Sequence, residues 1–271
     1  MVDFSRNPPK DPAFASHLRK STARKIRPNH KFFSAICWFY ELQLTLGVST
    51  AAAVRRKIEP DLAEGNKVID QRWCDYRSGR HTPSAKIIAI AEKHCPQSRH
   101  ILKSGLWETL RLDRPPKDVA LALMGSASRH GDELLTWTLR APSQRNNDPR
   151  WLRKRCAAMI KHKSLESLAV LTICMRLASA ADNFNLTVTF YHQVIRCLAA
   201  QYEWLNAHGL TPGLLEHYQQ VLFQSCRKES WTEFFDSNFY HQLVFHTHQF
   251  LNNSSFDADD RPAKKCASDK G

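Results

Sequence analysis

Apolar residues recur along most of the chain at the three- and four-residue spacing of amphipathic helices, and glycines, prolines and capping residues separate the segments. The first three predicted helices span residues 31–47, 50–59 and 66–78. Gly47 and Gly79 end the first and third of them, because a left-handed glycine commonly closes a helix. Thr50, preceded by Ser49, is a capping residue for the second helix, which ends before Pro60.

The same spacing continues to residue 251. The later predicted helices span 85–94, 98–111 with an interruption at Gly105, 117–126, 132–140, 150–163, 164–180, 185–208, a segment from Thr211, and 230–251. Asn185 is the predicted N-cap of the helix 185–208. Residues 187–190, Thr-Val-Thr-Phe, are β-prone in isolation, but they continue the helical pattern and are assigned to this helix. The pattern therefore predicts an all-α fold.

Local composition divides the chain into segments. Residues 1–30 contain several prolines and basic residues but little periodicity, and residues 141–149, Ala-Pro-Ser-Gln-Arg-Asn-Asn-Asp-Pro, are polar. The predicted organisation is a basic flexible arm (1–30), a first helical domain (31–140), a linker (141–149), a C-terminal helical bundle or stack of helical hairpins (150–251) and a disordered tail (252–271).

Charge suggests the kind of partner. The formal net charge is +13 and the pI is about 9.5, and a strongly basic protein commonly binds a polyanion. Basic residues concentrate in segments 1–30 and 150–163, whereas residues 61–83 hold equal numbers of acids and bases. The predicted phosphate contacts in the two basic segments are Arg19, Lys20, Arg24, Lys25, Arg27, Arg150, Arg153 and Lys154.

Several classes of protein are disfavoured. No apolar run reaches the roughly 18 residues that span a bilayer, and the first ten residues do not form a signal peptide, so a cytoplasmic protein is expected. The eight cysteines form no Cys-x-x-Cys pair and are expected to be reduced and mostly buried. Phosphate-binding loops and hydrolase motifs do not occur. We therefore predict no enzymatic activity, no cofactor and no metal site, the last despite the closely spaced His94, His100, His241, His246 and His248.

One motif lies between the third and fourth predicted helices. Tyr76 is followed three residues later by Gly79 and then by Pro83 and Ser84. The ring would anchor the end of one helix, glycine would let the chain leave it with positive φ, and proline would stiffen the approach to the next helix. This motif resembles the second half of the Cro/C1-type (XRE-like) helix-turn-helix of phage repressors and bacterial regulators.

The resemblance covers about residues 31–95, and its specific part is about 75–92. It implies a helix-turn-helix-like N-terminal domain with 66–78 as the recognition helix, in which Trp73 and Tyr76 are structural. Gln71 would pair with adenine, and arginines would take guanine or phosphate. The implied base contacts are Lys67, Asp70, Gln71, Arg72 and Arg77, with Cys74 beside them, and Arg80 is an implied phosphate contact.

The first half of the motif departs from the family. A Gly-Val-Ser-Thr sequence, which would directly precede a recognition helix, occurs at 47–50, about one helix too early. Either an inserted loop at 59–66 separates the two halves, which we favour, or the recognition helix is 50–58. In the second case the basic contacts would be Arg55, Arg56 and Lys57, and the later motif would be scaffold.

The sequence therefore predicts a protein that binds double-stranded DNA, a transcriptional regulator of a bacterium or mobile element. Aromatic residues in the segment 230–251 could form a homodimer contact. The alternative is a non-enzymatic helical interaction protein, for example an adaptor in a toxin–antitoxin or phage-defence assembly. RNA binding is a further alternative.

Overall fold

The described part of the chain folds into a series of helices. The computed structural model describes residues 29–60, 67–140, 149–211, 213–227, 243, 245–247 and 249. These residues contain no strand, which confirms the predicted all-α class. None of the helices in this part of the chain is both long enough and apolar enough to cross a bilayer.

The helices are numbered in chain order. The first five are α1 (Asn29–Leu46), α2 (Ala51–Ile58), α3 (Lys67–Arg77), α4 (Ala85–His94) and α5 (Ser98–Leu102). The next four are α6 (Gly105–Thr109), α7 (Pro116–Leu123), α8 (Arg129–Arg140) and α9 (Pro149–His162). The last are α10 (Leu165–Ala180), α11 (Phe184–Ala200), α12 (Tyr202–Ala207), α13 (Gly213–His217), a π-helical turn (Tyr218–Leu222) and α14 (Phe223–Ser225).

Side-chain caps fix several helix starts. The hydroxyl of Thr50 accepts a hydrogen bond from the backbone N–H of Ala53 at 3.1 Å, as predicted for α2. The prediction that Asn185 caps the helix after α10 is wrong. Asn183 caps it instead, because its side-chain oxygen accepts from the N–H of Leu186 at 3.0 Å.

The interruption predicted at Gly105 is present, and a second long predicted helix, 185–208, is also divided in the structure. The segment 98–111 forms α5 and α6, because the hydroxyl of Ser104 starts a new helix by accepting from the N–H of Leu106 at 3.4 Å. The segment 185–208 divides at Gln201 into α11 and α12. Each division leaves only a few residues between consecutive helices.

Two clusters of buried apolar side chains form the interior. The small core joins α1–α4 and consists of Trp38, Phe39, Leu42, Ala51, Val54, Ile58, Trp73, Tyr76, Ile87, Ala91 and Cys95. The large core surrounds α10 and α11, whose buried members include Leu168, Leu171, Ile173, Met175, Phe190, Val194, Ile195 and Leu198. Helices α6–α9 add further side chains to the large core.

Helix α1 belongs to both clusters. Its Phe33 and Ile36 are part of the large core, whereas Trp38 and Leu42 are part of the small core. Gly47 ends the helix with a φ of +63°, in the left-handed conformation predicted for it. A single 18-residue helix therefore connects the two clusters.

The predicted domain arrangement stays a prediction. Residues 141–148 of the linker, 1–28 of the arm and the whole tail lie outside the described residues, and α1 begins at Asn29, so the last two residues of the predicted arm belong to this helix. On either side of the linker, Leu134 and Leu135 of α8 and Leu152 of α9 are all members of the large core. The helices before and after the predicted linker thus share apolar packing.

Candidate nucleic-acid interface

The chain leaves α3 through a turn that requires glycine. Gly79 has a φ of +68°, and a Cβ atom there would lie 2.7 Å from the ring of Phe32 and 2.9 Å from its carbonyl oxygen. Pro83 is buried, and Ser84 caps α4. The predicted glycine exit and the restart of the helix after Pro83 are therefore present, and the cap by Ser84 adds to them.

Asp75 fixes the end of α3 to this turn. Its carboxylate accepts a hydrogen bond from the side-chain amide of Gln71 at 2.9 Å. It also lies 3.7 Å from the guanidinium of Arg80 and 3.4 Å from Nε2 of His81. The backbone carbonyl of Asp75 accepts from the N–H groups of the same two residues. These contacts hold the turn and orient the side chain of Gln71.

Glu59 joins the end of α2 to α3. One of its carboxylate oxygens accepts from the guanidinium of Arg72 at 2.6 Å and from the indole N–H of Trp73 at 2.8 Å. The side chain of Glu59 is 9% exposed, and that of Arg72 is 35% exposed. Arg72, a predicted base contact, is thus held in an ion pair, and it would have to leave Glu59 to reach a base.

One side of α3 is open to solvent. Trp73 and Tyr76 are buried in the small core, whereas Gln71, Cys74 and Arg77 are exposed. At about 100° per residue, the positions of Gln71 and Arg77 lie roughly 60° to either side of Cys74. The structure therefore brings two predicted base contacts, Gln71 and Arg77, to one exposed surface, which we term the α3 face.

The other predicted contacts are more dispersed. Lys67 and Asp70 belong to the first turn of α3, but their side chains lie outside the described residues. Arg80 is exposed beside Asp75. The arm residues Arg19, Lys20, Arg24, Lys25 and Arg27 are also outside the described part of the chain.

Helix α2, the alternative recognition helix, buries part of its basic run. Arg55 is only 3% exposed. Arg56 and Lys57 are exposed, and the ammonium of Lys57 donates to the carbonyl of Leu46 at the end of α1 at 3.0 Å. This interpretation therefore keeps Arg56 as an exposed contact, but places Arg55 in the interior and Lys57 against α1.

Helix α9 has the predicted amphipathic character. Its inner side consists of the buried residues Leu152, Cys156, Met159 and Ile160. The three predicted phosphate contacts Arg150, Arg153 and Lys154 are all exposed at the start of the helix. They lie on α9, whereas the α3 face lies on α3.

A solvent-open groove of about 780 Å³, which we term the tryptophan groove, lies between α8 and α9. Its lining residues are Arg129, Asp132, Glu133, Thr136, Trp137, Arg140, Trp151 and Arg155. The ring centroids of Trp137 and Trp151 are 5.6 Å apart, with their planes at 40°. The guanidinium carbon of Arg155 lies 5.7 Å from the Trp151 centroid. No sequence pattern indicates this group, because its two indoles come from separate helices and meet only on folding.

Two further predictions concern metals and assembly. Among the side chains that the structure describes, no group of three or more His, Cys, Asp or Glu residues could hold a metal ion. Most of the segment 230–251, the predicted homodimer contact, lies outside the described residues. Dimerisation therefore stays a prediction.

Comparison with known proteins gives no family assignment: no family model, curated protein or solved structure matches this chain. A function must therefore follow from the geometry and charge of these two surfaces.

Proposed function

We propose that this protein binds double-stranded DNA by placing the α3 face in the major groove, as a non-enzymatic regulator of transcription. The observation that carries the proposal is an exposed polar face, Gln71, Cys74 and Arg77, on a helix anchored on its other side. A groove-reading helix needs a fixed position and side chains that can bond with base edges. The anchors Glu59 and Asp75 supply the first requirement, and the α3 face supplies the second.

The side chains of the α3 face have different roles in this proposal. The amide nitrogen of Gln71 carries two hydrogens, and its bond to Asp75 uses one of them. The second hydrogen and the amide oxygen can pair with adenine. Arg77 contacts guanine or phosphate, and Lys67 and Asp70 remain candidate base contacts. We assign Arg72 to positioning, because it is bound to Glu59.

Phosphate contacts supply most of the affinity in this proposal. The candidates close to α3 are Arg80 and Arg56, both exposed, and the arm adds further cations. Each neutralised phosphate releases counterions, so added salt opposes binding. With four such contacts, the affinity should fall by roughly a hundredfold when salt is raised from about 50 to 200 mM. Binding that does not change with salt would contradict this part of the proposal.

The test compares two variants on duplex DNA. The wild-type protein is used to enrich binding sequences from a random duplex library, and fluorescence anisotropy then measures affinity for an enriched duplex. Gln71→Ala combined with Arg77→Ala should weaken binding by about tenfold or more, because a base contact contributes about 1–3 kcal/mol. Lys117→Ala is the control, since it removes an exposed cation from α7.

The outcomes separate the proposals. Failure of the wild type to enrich any sequence would contradict DNA reading and favour the helical adaptor. If the wild type enriches a sequence but the Gln71→Ala/Arg77→Ala variant binds it equally well, the α3 face is not the reading surface. Arg56→Ala would then test α2 as the recognition helix.

Cys74 provides a second readout of the same face. It is exposed, whereas the other described cysteines are buried, and burial raises the pKa values of Cys174 and Cys197 to about 12. Buried protonated thiols react slowly. With Cys266 replaced by Ser, a bulky maleimide should modify Cys74 first and block binding to the enriched duplex. A labelled protein that binds as tightly as the unlabelled one would contradict the proposed orientation.

A further inference from the structure

The tryptophan groove combines flat aromatic surface with fixed positive charge. Trp137 and Trp151 are half-buried: each packs against the large core, and each also lines the groove. One part of each indole is therefore held by the large core, and another part faces the groove and can contact a ligand. Partly exposed indoles are suited to stacking on planar ligands.

Arg155 is held beside the indoles by its neighbours. Its Nε lies 2.8 Å from a carboxylate oxygen of Glu133, and its Nη1 lies 2.9 Å from Nδ1 of His130. Its guanidinium also lies over the ring of Trp151. A cation fixed in this way needs little reorganisation when it meets an anionic group.

The charge of the surrounding surface favours an anionic occupant. Three arginines line the groove against two acids, Asp132 and Glu133. Asp132 accepts from the backbone N–H of Gly125 at 3.0 Å, and Glu133 lies within 3.2 Å of both Arg129 and Arg155, so two of the arginines share one carboxylate and the lining keeps a net charge of +1. Helix α9 continues the positive surface, since residues 149–163 contain no acid.

We propose that the tryptophan groove binds the unpaired bases of single-stranded DNA. Base–aromatic stacking tolerates any sequence, because every base has a π-face, and neighbouring cations hold the backbone. A duplex would not fit this chemistry, since its bases are already stacked on each other and present only their edges in the grooves. The choice of DNA over RNA rests on the proposed function, whereas the stacking itself does not.

The test measures binding of fluorescently labelled oligo(dT) to the full chain by anisotropy. Trp151→Leu should weaken binding by roughly tenfold to a hundredfold, the range expected for one lost stacking contact. Trp151→Phe should retain most of the affinity, because it keeps an aromatic face. Trp204→Leu is the matched control, since Trp204 is also half-buried but stacks on His208 away from the groove.

An abasic strand of the same length keeps the test valid if Trp151→Leu fails to fold. It carries the same phosphates without bases, so it should bind the wild-type protein at least about tenfold more weakly than oligo(dT) does. Equal binding of the abasic strand and oligo(dT) would show that only charge matters and would overturn the proposal. Absence of oligo(dT) binding, or binding of oligo(U) alone, would also overturn it.

Duplex binding distinguishes this proposal from the previous one. The Gln71→Ala/Arg77→Ala variant should lose affinity for the enriched duplex and keep its affinity for oligo(dT). Trp151→Leu should show the reverse. If both variants lose both activities to the same degree, the groove is not a separate site and the inference is wrong.

Discussion

The small core and the large core are stabilised in different ways. In the small core, buried rings meet charged groups near the surface: Trp73 donates to Glu59, and Trp38 stacks on Trp73 with centroids 6.1 Å apart. In the large core, the polar contacts are mostly neutral or to backbone groups. Thr172 bonds to Tyr218 at 2.7 Å, and Arg176 donates to the carbonyls of Thr109 and Arg114.

The two cores should therefore differ in how much of their packing a single substitution disrupts. The small core depends on a few large rings and two carboxylates, so one change there removes a large share of its contacts. The large core distributes its packing over long aliphatic helices, chiefly α10 and α11. The α3 face is attached to the first kind of core and the tryptophan groove to the second. Damage to the small core should therefore affect duplex binding before it affects the groove.

Removal of a central ring should produce the largest separation between the two cores. Trp73→Ala should lower the free energy of unfolding by about 3–5 kcal/mol, because Trp73 is fully buried among aromatic partners. Hydrogen exchange measured by mass spectrometry should show lost protection in α2–α4 and retained protection in α10 and α11.

Phe190→Ala is the matched change in the large core, since Phe190 is also fully buried. It should cost a similar free energy, but reduce protection throughout the described helices. If Trp73→Ala lowers protection equally in α3 and α10, the two cores unfold as one unit and the contrast between them fails.

Local features of the sequence predicted the scaffold well. Thr50, Gly47 and Gly79 act through backbone hydrogen bonds and φ angles a few residues away, so their roles can be inferred from neighbours in the chain. The resemblance also implied a structural role for Trp73, which is fully buried. These inferences needed no knowledge of the tertiary fold.

Tertiary contacts explain what the sequence did not reveal. Arg72 was a predicted base contact because it is basic and lies on the helix 66–78, but its ion pair joins it to Glu59 of the preceding segment. Trp137 and Trp151 come together only when α8 packs on α9. Side chains that contact each other from different helices have no fixed spacing in the sequence, so the sequence pattern does not reveal the contact.

Acid should affect the large core through His217. Burial lowers the pKa of His217 to about 4, and its ring contacts Phe33 with centroids 5.7 Å apart. The folded state thus holds the ring neutral, whereas the unfolded chain accepts a proton below about pH 6.5. Stability is therefore present above that pH and is lost as pH falls toward 4, by about 2 kcal/mol between pH 7 and 5.

Urea unfolding at pH 7 and pH 5 measures this loss. His217→Leu removes the titrating ring and should flatten the dependence of stability on pH in this window, whatever its effect at pH 7. If the free energy of unfolding of His217→Leu still falls between pH 7 and pH 5 as it does in the wild type, other groups cause the acid sensitivity. The large core would then not be set apart by its response to acid.

The smallest expected effect concerns the carboxylate of the small core. Glu59→Gln keeps an oxygen that can accept from Trp73 but removes the charge opposite Arg72. Because Arg72 is partly exposed, solvent screens the pair, and the expected loss in the free energy of unfolding is about 1 kcal/mol. Glu92→Gln is the matched control, since its ion pair with Arg99 is more exposed and should contribute only a few tenths of a kcal/mol.

A double-mutant cycle that combines Glu59→Gln with Arg72→Ala then isolates the coupling between Glu59 and Arg72. A coupling energy near zero would mean that packing of Trp38, Trp73 and Tyr76 alone fixes α3, and the small core would then resemble the large core in depending on apolar contacts rather than charge.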